Sequence, residues 1–293
     1  MLENRTPFTQ DGLLGDFRKL GIKSGDVLLI HSSASSLAAA REMVKAPDTG
    51  LAWLLEALRE AVGPGGIVAA PTFTKTYKDA DGSLTGEVWN PARTRSRVGS
   101  FTNYLLQRPG AVRSDHPTHS IAALGQRAQE FCAGHSWREG ASTFDRHGPW
   151  GKLADWNGKI LWLGTTMNTH TACHAVEDWM RLPYMETRVA LVDDNGVTRE
   201  VTVTQSPMGP RDFYKKQGSK AECAWLAAGK GSRGQVCKAA CHLMGAPEFF
   251  DWLWQALLKD PALLLNDDPR ERWSVDAKRK TAAYLAGFKG TLK

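Results

Sequence analysis

Three short apolar blocks punctuate the chain: Val27 to Ile30, Ile67 to Ala70 and Ile160 to Leu163. Each is the length of a buried strand and too short for a helix. Between the first two, Leu51, Leu54, Leu55, Leu58 and Val62 recur at helical spacing until Gly63-Pro64-Gly65-Gly66 ends the stripe. Strand, helix and strand in that order predict a βαβ unit, hence a parallel pair with a right-handed crossover. Upstream, Leu13, Phe17 and Leu20 line one face of a helix over 9–21, with Thr9 as its cap and Gly21 as its stop.

Later patterns are more varied. A short helix is expected over Val98 to Leu106, a strand over Ile121 to Leu124 and a helix over 126–135, while 136–157 reads as an aromatic loop. Residues 38–50 and 75–97 show no clear periodicity. Thr187 to Val192 and Val197 to Thr204 flank Asp193-Asp194-Asn195-Gly196, which predicts an antiparallel hairpin with Asn-Gly at its turn. Val201 and Val203 alternate with Thr202 and Thr204, so one face of the hairpin is expected to be wet. Phe249, Phe250, Leu253, Trp254 and Leu257 form the core face of a helix over Glu248 to Lys259, and the charged tail begins at Pro269. The chain reads as a single unit over 1–293, with any sub-domain boundary near 205–210.

Composition narrows the class. A hydrophobic fraction of 42% and a charged fraction of 23% over 293 residues describe a soluble globular protein. The net charge of +6 favours an anionic ligand only weakly, and no basic aromatic motif points to nucleic acid. No apolar run reaches the ~18 residues that span a membrane. Residues Met1 to Pro7 lack a signal peptide's apolar core, and five scattered cysteines suit a reducing cytoplasm.

The chemistry concentrates in 158–182. There an apolar strand ends at Gly164, a polar turn offers Asn168 as helix cap, and a helix carries His170, His174, Glu177 and Asp178 at spacings that share a face. An imidazole held by a carboxylate beside a helix N-terminus is a positioned base next to anion-binding N–H groups. The small hydroxyl residues Ser32 and Ser33, just past His31 at a strand's end, lie where α/β sheets present ligand-binding groups. Elsewhere the signals are weaker. His116 and His119 straddle a proline without a thiolate or carboxylate at diagnostic spacing. Cys237 and Cys241 stand one helical turn apart with no second pair. The Gly229 to Gly234 spacing follows no strand and reads as chance.

Ordered landmarks resemble one family, the antibiotic N-acetyltransferases that acylate the 3-amino group of aminoglycosides. They are Gly-Asp-Val-Leu-Leu-Ile-His-Ser-Ser at 25–33, Val-Gly-Pro-Gly-Gly-Ile-Val-Ala-Ala-Pro-Thr-Phe-Thr at 62–74 and Arg-Pro-Gly-Ala-Val-Arg-Ser-Asp-His-Pro-Thr-His-Ser at 108–120. Trp-Gly-Lys-Leu-Ala-Asp-Trp-Asn-Gly-Lys-Ile-Leu-Trp-Leu-Gly at 150–164 and Thr-Ala-Cys-His-Ala-Val-Glu at 171–177 follow. The resemblance runs over about 11–265, poorly over 205–233. It implies an α/β fold with a central mixed sheet flanked by helices, the antiparallel hairpin and a helical C-terminal part. It also implies acetyl-coenzyme A as donor, direct transfer in a ternary complex and no metal. Both monomers and homodimers fit it. His31 and His174 match the family's essential histidines, with Glu177 beside the latter.

An amine attacks a thioester only as the neutral base, so His174 oriented by Glu177 is the expected base, with His31 positioning amine or donor. Thr72 or N–H groups near Ser32 and Ser33 are expected to meet the oxyanion, and Arg113 or the 93–97 arginines the cofactor's phosphates. Two departures open the acceptor to amines other than aminoglycosides. Ala34 to Pro47 is longer than the family's glycine-rich segment and carries Arg41, Glu42 and Lys45, and acidic clusters for a polycation are few. Three rivals remain: a ping-pong enzyme acylated on Cys173, a zinc hydrolase using His116, His119, His170 and His174, and a non-catalytic binding module.

Overall fold

The computed structural model describes residues 8–37, 47–207, 219–268, 270 and 272–292. Eleven strands are present among them: β1 (Val27–Ser32), β2 (Ile67–Phe73), β3 (Thr76–Lys78), β4 (Leu84–Gly86), β5 (Val112–Arg113), β6 (His119–Leu124), β7 (Lys159–Leu163), β8 (Glu186–Asp194), β9 (Val197–Gln205), β10 (Ser232–Val236) and β11 (Ala239–Gly245). Seven form one mixed sheet in the order β10-β11-β7-β1-β2-β6-β5. Its centre is parallel, with Val27 opposite Ile67 and His31 opposite Trp162, and its flanks are antiparallel. The expected βαβ unit is therefore present as a parallel β1–β2 pair joined by helix Pro47–Val62. A separate antiparallel sheet, β4-β3-β8-β9, contains the expected hairpin and a small core of Tyr77, Ala190 and Val203.

Strand alternation sorts the sheet's side chains into two cores. Val27, Leu29, Ile67, Ala69, Ile160 and Trp162 face one side, under helices Ala172–Trp179 and Ala246–Lys259. Leu28, Ile30, Val68, Ala70, Leu161 and Leu163 face the other, under helices Gln10–Leu20 and Pro47–Val62. The first helix has the ends its sequence predicts. Thr9 accepts from the Gly12 amide at 3.1 Å, and Gly21, at φ 110°, donates to the Arg18 carbonyl. The charged tail forms helix Arg272–Ala286, whose Ala277 and Leu285 join the first core.

Several expectations needed correction. Helix Pro47–Val62 starts inside the stretch read as irregular, and helix Pro149–Asp155 lies inside the stretch read as loop, with Pro149 in its first turn. Cys237 and Cys241 are not on a helix. Cys237 turns the β10–β11 hairpin at φ 53°, and Cys241 lies within β11. Arg41, Glu42 and Lys45, and residues 208–210 of the proposed boundary near 205–210, lie outside the described residues. Among the described residues no helix is long and apolar enough to cross a membrane.

Candidate active site

The parallel strands end on one side of the sheet, where open α/β folds leave a crevice for ligands. There a cavity of about 370 Å³ opens between the ends of β1 and β2, the start of β6 and the turn that follows β7. Gly164 starts that turn at φ 65°, and a Cβ there would sit 2.6 Å from the Ser36 Cβ, so only glycine fits. The chain then passes through a 3₁₀ turn, Met167–Thr169, before helix Ala172–Trp179. Thr171, not Asn168, occupies the cap position, and it makes no side-chain capping bond.

His174 sits in the first turn of that helix, on the cavity wall, with 23% of its side chain exposed. Its Nδ1 lies 2.6 Å from Glu177 Oε2, the partner expected from the three-residue spacing. Glu177 is fully buried. The Tyr184 hydroxyl donates to its other oxygen, Oε1, at 2.6 Å. Tyr184 carried no sequence signal, because it lies beyond the helix end, where Arg181 reverses the chain at φ 52°. Asp178, expected beside His174, faces a different cleft with Ser142 and Asp145, and burial pushes its carboxyl up to about 6.

His31 lines the same cavity from β1, as does Ser32 at the strand's end. Burial lowers the His31 imidazole to about 4, so it is neutral at neutral pH. Its ring stacks on His170 at 5.2 Å and 17°. His119 enters from β6, against Phe73 and Phe144, and burial lowers it to about 3. His170, His119 and Gln205 of β9 join the wall from three separate elements. Sequence reading placed His170 on the helix face of His174, whereas it lies in the turn before that helix; it named His119 as a metal ligand and missed Gln205.

Three residues expected at the donor do not reach the cavity. Thr72 follows Pro71 and precedes Phe73, both on the wall, so alternation turns it to the opposite face. Its hydroxyl is committed to the Ser120 carbonyl at 2.7 Å. Arg113 lies on that same far side, with Nε on the Ser120 hydroxyl at 3.0 Å and Nη1 on the Thr94 carbonyl at 2.6 Å. Burial lowers its guanidinium to about 10. It anchors the 89–97 loop. The Ser33 amide donates to the Leu163 carbonyl at 2.9 Å and is not open to an oxyanion. Arg93 pairs with Asp193 at 2.5 Å.

The zinc reading also loses its ligands. His116 stacks on His135 at 4.6 Å and does not line the cavity. Among the described residues no three His, Cys, Asp or Glu side chains converge as a metal set.

Comparison with known proteins adds the chemistry. A family model described as aminoglycoside 3-N-acetyltransferase matches residues 29–257. The aminoglycoside N(3)-acetyltransferase VII of Streptomyces paromomycinus is 28% identical over 272 residues, covering 84% of this chain and 90% of the relative. The solved binary complex of AAC-IIIb with CoASH is 25% identical, with a TM-score of 0.72 over 86% of this chain and 96% of the other. The aminoglycoside acetyltransferase AAC(3)-IVa, solved in complex with a gentamicin, shares the fold at a TM-score of 0.76 and 23% identity, covering 95% and 99%.

Proposed function

The chain belongs to the aminoglycoside 3-N-acetyltransferase family, and on that premise we propose that it transfers acetyl from acetyl-coenzyme A to the 3-amino group of an aminoglycoside, with His174 as general base. The observation that carries this reading is the 2.6 Å contact of His174 Nδ1 with buried Glu177 at the cavity wall. Nδ1–H donating to the carboxylate fixes the tautomer, so the lone pair sits on Nε2. As the amine nitrogen bonds to the thioester carbon, its proton passes to Nε2, and the C–S bond breaks as the thiolate leaves and is protonated. Glu177, fixed on its other side by Tyr184, stabilises the imidazolium that forms. His31 supplies an uncharged polar wall beside the reacting groups.

One observation favours a second acceptor class. None of the described residues on the cavity wall is Asp or Glu. A polycationic aminoglycoside is best held by carboxylates, so a less charged amine of similar shape is the alternative acceptor.

The test is release of coenzyme A thiol from acetyl-coenzyme A across a panel of aminoglycosides, for wild type and His174→Ala. Turnover by wild type and a loss in kcat on the order of 10³-fold in the variant, with donor binding retained, is the expected result. Turnover that survives the substitution removes His174 as base. A silent panel with retained donor binding moves the acceptor to the second class.

A further inference from the structure

His170 has a feature that neither the base nor the acceptor accounts for. The Trp162 indole donates to His170 Nδ1. Indole nitrogen is a donor only, so Nδ1 must carry the lone pair and the ring proton must sit on Nε2. That Nε2–H is buried and has no partner. A buried donor is seldom left unsatisfied without a reason. Burial holds the imidazole well below its ordinary range, so it is a neutral donor.

The ring cannot easily turn away. It is stacked on His31, lies 4.4 Å from Phe249 and meets the edge of Trp162 at 5.0 Å. It also lines the cavity with His174. His170 precedes His174 by four residues, and the Cys173 amide donates back to the His170 carbonyl at 3.2 Å. His170 lies in the turn between the 3₁₀ segment and the helix, His174 lies in the helix's first turn, and both side chains line the same wall. A base for the attacking nitrogen and a donor for an oxygen two bonds away have to share one wall of a cavity.

We propose that His170 is a further catalytic residue, its Nε2–H donating to the thioester carbonyl oxygen as that oxygen gains negative charge. This rests on the acetyl-transfer reading above. The N–C bond forms, the carbonyl electron pair moves onto oxygen against Nε2–H, and the pair returns as the C–S bond breaks. The amine proton leaves through His174 to the departing sulfur, and His170 keeps its proton throughout. Reaching Nε2 takes an oxygen pressed against the cavity floor, in the water-poor setting where one hydrogen bond to developing charge counts most.

The experiment follows the His170 Nε2–H resonance by NMR in protein labelled with 15N-histidine, assigned by its loss in His170→Gln. Acetyl-coenzyme A and coenzyme A are titrated separately without any acceptor. The resonance is expected to move downfield with acetyl-coenzyme A and to stay with coenzyme A, which lacks the acetyl carbonyl. With an acceptor from the panel, His170→Phe is expected to lose on the order of 100-fold in kcat, with KM for acetyl-coenzyme A near wild type. His170→Gln, which keeps an N–H, recovers part of that loss.

A resonance indifferent to the acetyl group, as an ordered water on Nε2 would give, overturns the proposal. So does a His170→Phe enzyme with wild-type kcat, or one changed in KM alone. Should that variant fail to fold, the wild-type resonance decides. A silent acceptor panel with a shifted resonance leaves the proposal standing and removes only the aminoglycoside. Absence of any donor binding removes the acetyl-transfer reading itself, and this inference with it.

Discussion

Two groups of buried histidines differ in how far their hydrogen bonds close. Around His135 the circuit is complete. Nε2–H donates to the Thr143 carbonyl at 3.0 Å, so Nδ1 accepts from the Ser114 hydroxyl at 3.0 Å. The Ser114 oxygen in turn accepts from the Ile121 amide at 2.9 Å. His116 stacks on this ring at 3°. At the cavity, by contrast, His31 and His170 stack while the Nε2 atom of each lacks a partner, and His174 is tied to a carboxylate. Burial lowers both His135 and His31 to about 4, so depressed basicity does not separate the groups. Closure does. A closed network is satisfied within the fold, whereas a buried donor or acceptor left open beside a cavity calls for an explanation.

The sharpest way to break this contrast is at Glu177. Glu177→Gln keeps the shape but replaces one acceptor oxygen with an NH₂ group, which must face either the Tyr184 hydroxyl or His174 Nδ1–H. Loss of the fixed tautomer is expected to cut kcat by on the order of 10³-fold or more. Stability should fall by about 1–3 kcal/mol from the unpaired donor. Thiol release and urea unfolding measure the two effects. A variant within tenfold of wild-type kcat would make Glu177 a packing residue and return the cavity histidines to the class of His135.

The closed group should respond in the opposite way. Ser114→Ala removes the donor to His135 and the acceptor for Ile121, and is expected to cost about 1–3 kcal/mol while kcat stays within about twofold. Its pH dependence follows from the lowered imidazoles. Above pH of about 6.5 both folded and unfolded chains hold these histidines neutral, so they contribute nothing. As pH falls below that, the unfolded chain binds protons first, and stability drops until the folded groups titrate near 4. His135 alone accounts for up to roughly 3 kcal/mol of that loss. Urea titrations from pH 7 to 4 check it, and a flat profile would mean that water reaches these rings. A kcat in Ser114→Ala that collapses while stability holds would erase the distinction between the two groups.

The sequence was most legible where one short-range rule decides the outcome. The apolar blocks at 27–30, 67–70 and 160–163 became the parallel core, because a strand buried on both faces needs no alternation. The spacing of His174 and Glu177 put them in contact because helix geometry alone dictates it. What stayed hidden depended on distant partners. Thr72 and Arg113 stood at plausible places along the chain, yet which face of β2 and β5 they occupy is set by pairing with Ser120. Tyr184 reaches Glu177 only through the reversal at Arg181, and Trp162 fixes the His170 tautomer across a strand and a turn. The β10–β11 hairpin turns at Cys237, a non-glycine residue at positive φ, so it lacks the usual turn signature.

The smallest expected effect tests the contrast from the other side, at a group that neighbours the base without sharing its surroundings. Cys173 precedes His174, so its side chain leaves the helix about 100° away. It is fully buried in the core under the sheet and does not line the cavity. An acyl-cysteine would require that thiol to reach the thioester. Cys173→Ala is therefore expected to keep kcat within about twofold and to cost about 1 kcal/mol of packing. Initial rates at varied donor and acceptor should give intersecting lines, as direct transfer in a ternary complex requires. Parallel lines together with a dead Cys173→Ala would place a covalent intermediate on the path. His174 would then serve the thiol's exchange rather than the amine, and the Glu177–Tyr184 support would act one step removed from the acceptor.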